Sequence, residues 1–464
     1  MKKIISALLG CGILMSGCSL SPNFKQPQSE IPSEFANQNN KEVSQEWWKD
    51  FNDPMLNLLV EEALKNNLDL AIAMQRVEQA RNSWNYARSD RYPSLDIKGS
   101  GAREKAPKQD KESYYNNFSL SGVLNYEFDL WGKMRDMDRA QYAQFLAQKA
   151  SRDIIKLSLI ANVAQSYFGI ITLNNQVEIS KKTLKTREEN YLYRKKEFEA
   201  GKISEIDMQQ AKSQLASVKG QLQSIMMEQN AAQTSLMILL GRNAKELFSA
   251  NVSKDGMELP KPPVVPVNLP SSILENRPDI EAATQKLKSA NFSIGVARSA
   301  YFPTISLSGL AGYVSPEFDR LVNDSHSTWN YGGNFIANLI NFGRTSANVR
   351  ISKAKYEEML LEYGKTVQVA FGEVRDGLFN YEITEKKVES LNEQVSALSR
   401  AVVLAQLRYE EGYSTYLEVL NMQNSLFIAE LDEQKAKLES LSAAINLYKA
   451  FGGGWNKEEY LKEK

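Results

Sequence analysis

Tyr92-Pro93-Ser94-Leu95 returns 210 residues later as Phe302-Pro303-Thr304-Ile305, and that recurrence decides how the 464-residue chain is built. Ala87-Arg88-Ser89 just before it returns as Ala297-Arg298-Ser299 at the same offset. Further on, Gly132 returns as Gly343, Phe198-Glu199-Ala200-Gly201 as Tyr409-Glu410-Glu411-Gly412, and Leu215 as Leu426, all at an offset of 211. Separate landmarks at one spacing mark an internal duplication, and a period this long fits a duplicated domain, not a solenoid.

Each copy reads alike. A helix comes first, over about 54–91 and 271–300, with Asp53-Pro54 and Pro270-Ser271 as starts and Pro93 and Pro303 as stops. Proline suits a helix's first turn and breaks its interior. Two strands follow, near 94–103 and 118–129 in the first copy and near 304–313 and 329–342 in the second. Phe118, Leu120, Leu124, Tyr126 and Phe128 alternate with Ser119, Ser121, Asn125, Glu127 and Asp129, the period of a half-buried strand, with Val123 as an exception. Polar loops, about 104–117 and 315–328, join the strands, and the single histidine, His326, falls in the second as an exposed loop residue. Helical sequence then runs from about 131 to 200 without a proline, roughly 100 Å if unbroken. Gly201 and Gly412 mark turns into return helices near 205–241 and 415–450, giving two long hairpins.

Four alternating strands cannot stand alone in hydrocarbon, because an open sheet leaves backbone groups unpaired at several kcal/mol each. The smallest common barrels have about eight strands, so membrane strands here require oligomerisation. The last helix points the same way. Leu417, Leu420, Asn424, Phe427, Leu431, Gln434, Leu438, Leu441, Ile445 and Tyr448 form one three-and-four seam. Val419, Met422, Leu426, Ala429, Glu433, Ala436, Ser440, Ala443, Leu447 and Ala450 form a second, two residues on and about 200° round the helix. A helix with two seams is a stave in a wall; the alternative is a helix buried in a compact bundle.

Lys2 and Lys3 precede a short apolar run, Ile4 to Met15, that ends in Met15-Ser16-Gly17-Cys18. The run is too short to remain as a spanning helix. The segment resembles a bacterial lipoprotein signal cut before an acylated cysteine, with Met15 where leucine is usual; Leu8-Leu9-Gly10-Cys11 fits the pattern but follows too short an apolar run. The alternative is an ordinary secretory signal with an incidental cysteine. Removal of residues 1–17 takes two lysines from the 56 basic residues, leaving 54 against 56 acidic, and leaves Cys18 without a disulfide partner. Ser19 after that cysteine favours the outer membrane. The near-neutral balance gives no electrostatic footprint for nucleic acid. One histidine and two cysteines nearly exclude a His/Cys metal or catalytic centre, and no G-x-S-x-G occurs.

Several segments together resemble the outer membrane factor family, the TolC-like exit ducts of resistance-nodulation-division efflux pumps, in its lipidated OprM- and CmeC-like branch. They are Trp47-Trp48-Lys49-Asp50-Phe51-Asn52-Asp53-Pro54, Asn125-Tyr126-Glu127-Phe128-Asp129-Leu130-Trp131-Gly132-Lys133, Arg277-Pro278-Asp279-Ile280, Tyr301-Phe302-Pro303-Thr304-Ile305-Ser306-Leu307, Phe371-Gly372-Glu373-Val374-Arg375 and Ala450-Phe451-Gly452-Gly453-Gly454-Trp455. The resemblance implies a mainly α fold with membrane β: four strands per protomer in a trimeric twelve-stranded β-barrel, above a long α-helical periplasmic barrel. The layout it implies is a signal peptide 1–17, a first repeat 18–241 with its hairpin at 131–241, and a Pro-rich linker 242–270. A second repeat 271–450 follows, with its hairpin at 343–450, and then a tail 451–464. The implied partners are two further copies, a periplasmic membrane-fusion adaptor, an inner-membrane transporter and outer-membrane lipid, with no cofactor beyond the lipid on Cys18. The run Arg408 to Asn421 resembles the family's inner-hairpin turn, where aspartates line the closed pore; Glu418 keeps a carboxylate there and Asn421 loses one. Gly201, Ser204, Asp207, Gly412 and Ser414 are the implied adaptor-contact tips. Heavy-metal export and type I protein secretion are alternative cargoes. An adaptor lipoprotein is the other class, against which two hairpins and a whole-chain duplication speak.

Overall fold

A computed structural model describes residues 19–27, 43–106, 113–247, 258–265 and 276–462. The expected signal peptide, Cys18 and the proposed helix start at 271–275 lie outside the described residues. In chain order the elements are α1 (Pro54–Asn66), α2 (Leu68–Ser89), β1 (Ser94–Ala106), β2 (Ser113–Glu127), α3 (Lys133–Glu199) and α4 (Glu205–Leu239). Then come α5 (Pro278–Ser299), β3 (Thr304–Ser315), β4 (Ser327–Ile336), α6 (Arg344–Glu410), α7 (Tyr416–Ala450) and a short α8 (Lys457–Lys462). Repeat partners match in length: 22 residues in α2 and α5, 67 in α3 and α6, 35 in α4 and α7.

The first helix departs from the single span of 54–91. Asn67 ends α1, with its N–H on the Ala63 carbonyl, and its side chain then caps α2 by accepting the Leu70 N–H at 2.9 Å. A side chain that satisfies the next helix's orphan N–H makes the break cheap. The start of α1 follows the sequence reading, because Asp53 Oδ1 accepts the N–H groups of Met55 at 2.8 Å and Leu56 at 3.1 Å, with Pro54 in the first turn.

The chain divides into two compact units. One comprises Met1–Gln28, Gln75–Lys149 and Ala282–Lys365, and holds the sheet. Its order is β1-β2-β3-β4, all antiparallel. Register puts Leu95, Ile97, Leu120, Leu124, Tyr126, Ile305, Leu307, Tyr313, Tyr331 and Phe335 on one face. Ser100, Ser119, Asn125, Ser306, Ser308 and Asn334 are on the other. Val123 belongs to that polar face, opposite Leu310. The apolar face is bare in the single chain: Ile97 is 82% and Tyr331 77% exposed. Strands β1 and β2 run past the expected 103 and back before 118. Hydropathy marks only the apolar span, whereas the backbone ladder continues to Ala106↔Ser113. Strand β4 stops at Ile336 instead of 342, since its last partner is Thr304 and Pro303 has no N–H to extend the ladder.

Beside the sheet, residues 19–27 form an arm. Ser19 Oγ donates to Asp136 Oδ1 at 2.7 Å, Asn291 Nδ2 donates to the Pro22 carbonyl at 2.7 Å, and Arg298 Nη1 donates to the Leu20 carbonyl at 3.0 Å. Phe24 packs against Leu287, Ala290 and Met359.

The other unit comprises Ser29–Met74, Ala150–Glu281 and Thr366–Lys464. An aromatic knot holds it: Trp47 stacks on Tyr448 at 5.2 Å and Phe51 packs on Phe168 at 5.4 Å. Tyr448 and Tyr167 donate their hydroxyls to Asp50 at 2.9 Å and Asp53 at 3.0 Å, and burial beside those carboxylates pushes both phenols upward in pKa. Each such aromatic side chain contributes about 2–3 kcal/mol when fully buried. The duplication is exact enough here to repeat its contacts. Asn67 Nδ2 donates to the Leu239 carbonyl at 2.9 Å, and Arg277, its counterpart, donates to the Ala450 carbonyl at 2.6 Å. Arg277 also binds Asp279 at 2.8 Å and Glu373 at 2.5 Å, joining two of the sequence segments quoted above. On α7 both seams are buried within one chain, including Leu420, Phe427, Ile445 and Tyr448 on the first and Val419, Ala436, Ala443 and Leu447 on the second.

Candidate functional site: the hairpin turns and the pore gate

Both hairpin turns use a glycine where the backbone needs a left-handed residue. Gly201 has φ +70° and Gly412 φ +78°. The following N–H groups, of Lys202 and Tyr413, close back on the Glu197 and Arg408 carbonyls at 2.8 Å, which satisfies helix-end acceptors.

The two return helices then start differently. Ser204 and Asp207 form a capping box: Ser204 Oγ accepts the Asp207 N–H at 3.4 Å, and Asp207 Oδ2 accepts the Ser204 N–H at 3.3 Å. Asp207 is therefore committed to its own helix start. Thr415 holds the N-cap position of α7 without a side-chain cap, and the Glu418 N–H reaches only the Thr415 carbonyl at 3.1 Å. Among the described residues no hydrogen bond or ion pair engages the Glu418 carboxylate. Glu418 is half-buried and Asn421 exposed, one turn apart on α7. Ser414 Oγ is buried without a partner.

Behind these turns lies a cluster that sequence reasoning missed. Arg194 on α3 donates to the Tyr409 hydroxyl at 2.6 Å and to Glu197 at 2.7 Å. Its guanidinium sits 3.8 Å from the ring centre of Tyr416, the first residue of α7. Two turns back on α3, Arg187 is 3% exposed and donates to Gln423, two turns into α7. Burial lowers the Arg187 pKa, and burial raises that of Tyr416 against the pull of both arginines. The first hairpin is thus clasped to the second by two arginines on one heptad stripe. The signal was available in Ser180, Arg187 and Arg194, spaced by seven on a helix otherwise read only for length.

A duplicated chain with, among the described residues, one four-stranded sheet, apolar on one face and open at both edges, and two long hairpins defines a membrane channel subunit. A family model described as "Outer membrane efflux protein" matches twice, over residues 59–242 and 269–453, once per repeat. The chain is 32% identical over 471 residues to the probable efflux pump outer membrane protein TtgC of Pseudomonas putida, covering 98% of this chain and 96% of that protein. It is 31% identical over 457 residues to the cation efflux system protein CusC of Escherichia coli, covering 96% and 97%. The crystal structure of the Campylobacter jejuni CmeC outer membrane channel superposes with a TM-score of 0.90 at 30% identity, covering 96% of this chain and 98% of that one. The chain belongs to the outer membrane efflux protein family. It is an outer-membrane efflux channel whose helices extend into the periplasm, with the mainly α, membrane-β fold of the trimeric channels.

Proposed function

We propose that three copies form the passive exit duct of a tripartite multidrug efflux system, anchored by lipid on Cys18. A periplasmic membrane-fusion adaptor meets the Gly201, Ser204, Asp207, Gly412 and Ser414 turns, and an inner-membrane resistance-nodulation-division transporter supplies the energy. The chain catalyses no reaction. The observation that carries this reading is the sheet: a continuous apolar face with two unpaired edges is tolerable in lipid only in a closed ring. Three Glu418 carboxylates meeting at a narrow axis would concentrate cations and slow anions. The Arg194 and Arg187 clasp behind them holds the inner hairpin in its closed position. The antibiotic and toluene efflux relatives support organic cargo. CusC supports cation export as the second reading.

Drug, solvent and copper tolerance of a strain lacking the gene, with and without the chain restored, tests the cargo. Lost tolerance to organic compounds with unchanged copper tolerance is expected; the reverse pattern would install the cation reading. Palmitate-analogue labelling that vanishes in Cys18→Ala tests the anchor, and retained label would overturn it.

A further inference from the structure

The apolar face of the sheet carries two cations at one end. Register places Arg103 and Lys105 in line with Leu95 and Ile97 on β1, opposite Asn116 and Tyr114 on β2. The Arg103 guanidinium lies 5.5 Å from the centre of the Tyr114 ring, and the Lys105 ammonium 6.0 Å from the same ring. Glu104, between them in sequence, is on the polar face and accepts the Tyr115 hydroxyl. Among the described residues no hydrogen bond or ion pair engages the exposed Arg103 guanidinium.

Next to the cations lies an apolar step. Phe118 lies across Gly101, where a Cβ would stand 3.1 Å from its ring. Phe318, from the loop after β3, packs edge-on against Phe118 with ring centres 5.5 Å apart, yet stays 72% exposed. The loop therefore folds toward the apolar side of the sheet. Height decides what surrounds these groups. The opposite end of the apolar face, at Tyr126 and Phe128, leads into α3 on the periplasmic side. From that pair to Phe118 the strand rises about 21–26 Å along the membrane normal at a tilt near 40°, the height of an outer-membrane barrel's apolar band. Arg103 and Lys105 stand about 5 and 10 Å farther out, at the level of the outer leaflet's headgroups. A charge on a lipid-facing position is costly at mid-membrane and tolerated there.

Resting on the barrel reading above, we propose that Arg103, Lys105 and Tyr114 form a docking site for the phosphate of an outer-leaflet glycolipid, whose acyl chains cover the Phe118–Phe318 step. A guanidinium stacked on a ring keeps its N–H fork available for bidentate phosphate binding, and an ammonium beside it adds a point charge. Basic groups at a membrane surface draw anionic headgroups in the same way. Both cations face away from the lumen, so their charge acts on lipid and not on cargo. The contiguous aromatic step favours a lipid over free phosphate, which would use the cations alone.

Diphosphoryl lipid A added to the detergent-extracted full-length protein tests the site, with bound lipid counted by native mass spectrometry. Binding should saturate, and lipid A stripped of its phosphates should bind at least about tenfold more weakly, as loss of a charge-assisted hydrogen bond requires. Arg103→Gln should weaken binding of the phosphorylated lipid by a similar factor and Arg103→Lys by less, each with the heat-sensitive trimer band retained. Lys98→Gln, on the polar face of the same strand, should change nothing. Unchanged binding in Arg103→Gln, or equal losses in Arg103→Gln and Lys98→Gln, would overturn the site. Displacement of the lipid by an equal concentration of inorganic phosphate would overturn the lipid as its occupant. A single-chain band from the unsubstituted protein would instead refute the barrel on which the proposal rests.

Discussion

Alanine at the positive-φ glycines should cost very different amounts, and the structure orders them. A Cβ on Gly241 would stand 2.1 Å from the Asn66 carbonyl oxygen and 2.6 Å from its carbon. One on Gly452, the repeat counterpart, would stand 2.9 Å from the Asn276 oxygen, while those on Gly201 and Gly412 would meet nothing within 4 Å. All four have φ between +70° and +81°. The left-handed conformation alone costs a residue with a Cβ about 1–2 kcal/mol. At Gly241 the methyl must also displace backbone fixed by the Asn67–Leu239 hydrogen bond, and such overpacking adds about 1–3 kcal/mol. Gly241→Ala should therefore lose about 2–5 kcal/mol, Gly452→Ala slightly less, and Gly201→Ala and Gly412→Ala only about 1–2 kcal/mol. Heat denaturation of the detergent-extracted protein at one fixed scan rate, followed by tryptophan fluorescence, gives the order. Gly241→Ala should lower the midpoint at least twice as far as Gly412→Ala. Equal shifts would refute the claim that the Asn66 approach, and not the backbone angle, sets the requirement for glycine.

Removing the clasp in Arg194→Ala should raise single-channel conductance in planar bilayers several-fold, and Arg194→Lys should not restore the closed level, since an ammonium cannot stack on Tyr416 and bind Tyr409 together; unchanged conductance would remove Arg194 from the gate. Glu418→Gln should reduce cation over anion selectivity in the same recordings without changing heat stability, whereas Asp207→Asn should shift stability by about 0.5–2 kcal/mol and leave selectivity alone; the opposite pattern would exchange their roles. Burial raises the Asp136 carboxyl pKa above its ordinary 3.8, against the opposing pull of the Ser19 hydroxyl and Arg139. The native state therefore binds that proton more tightly than the unfolded chain. Its contribution to stability is full below pH 3.8 and is lost as pH rises through the raised value. Asp136→Asn should abolish that fall in a pH series of denaturation midpoints, and identical slopes in both proteins would exclude Asp136 as its source.

The architecture was legible because duplication, period-2 strands and proline-free helical runs are one-dimensional signals. The turns were legible too, since Gly201 and Gly412 each stand where only a left-handed residue closes the helix. Three features resisted. The break at Asn67 arises from a side chain serving two helix ends, and asparagine within a helical pattern does not announce it. The short β4 reflects its last partner, Thr304, being followed back along β3 by Pro303, which has no N–H to extend the ladder, a limit that the hydropathy of residues 337–342 does not display. The Arg187–Arg194 clasp depends on Gln423 and Tyr416 lying across an antiparallel hairpin more than 200 residues away. Glu418 and Asp207 occupy equivalent places in the two repeats, and the sequence reading gave the pore to Glu418 and the turn surface to Asp207 through the family resemblance. Geometry adds the physical difference, because Asp207 closes a capping box and Glu418 does not.

The central claim is that one chain is an incomplete barrel and three complete it. Its most direct measurement is the apparent mass of the detergent-extracted protein on denaturing gels, with and without prior heating. The expected result is a band near three chains of 52.3 kDa that collapses to one chain on boiling. A single-chain band in both lanes, from protein that is folded by circular dichroism, would contradict it.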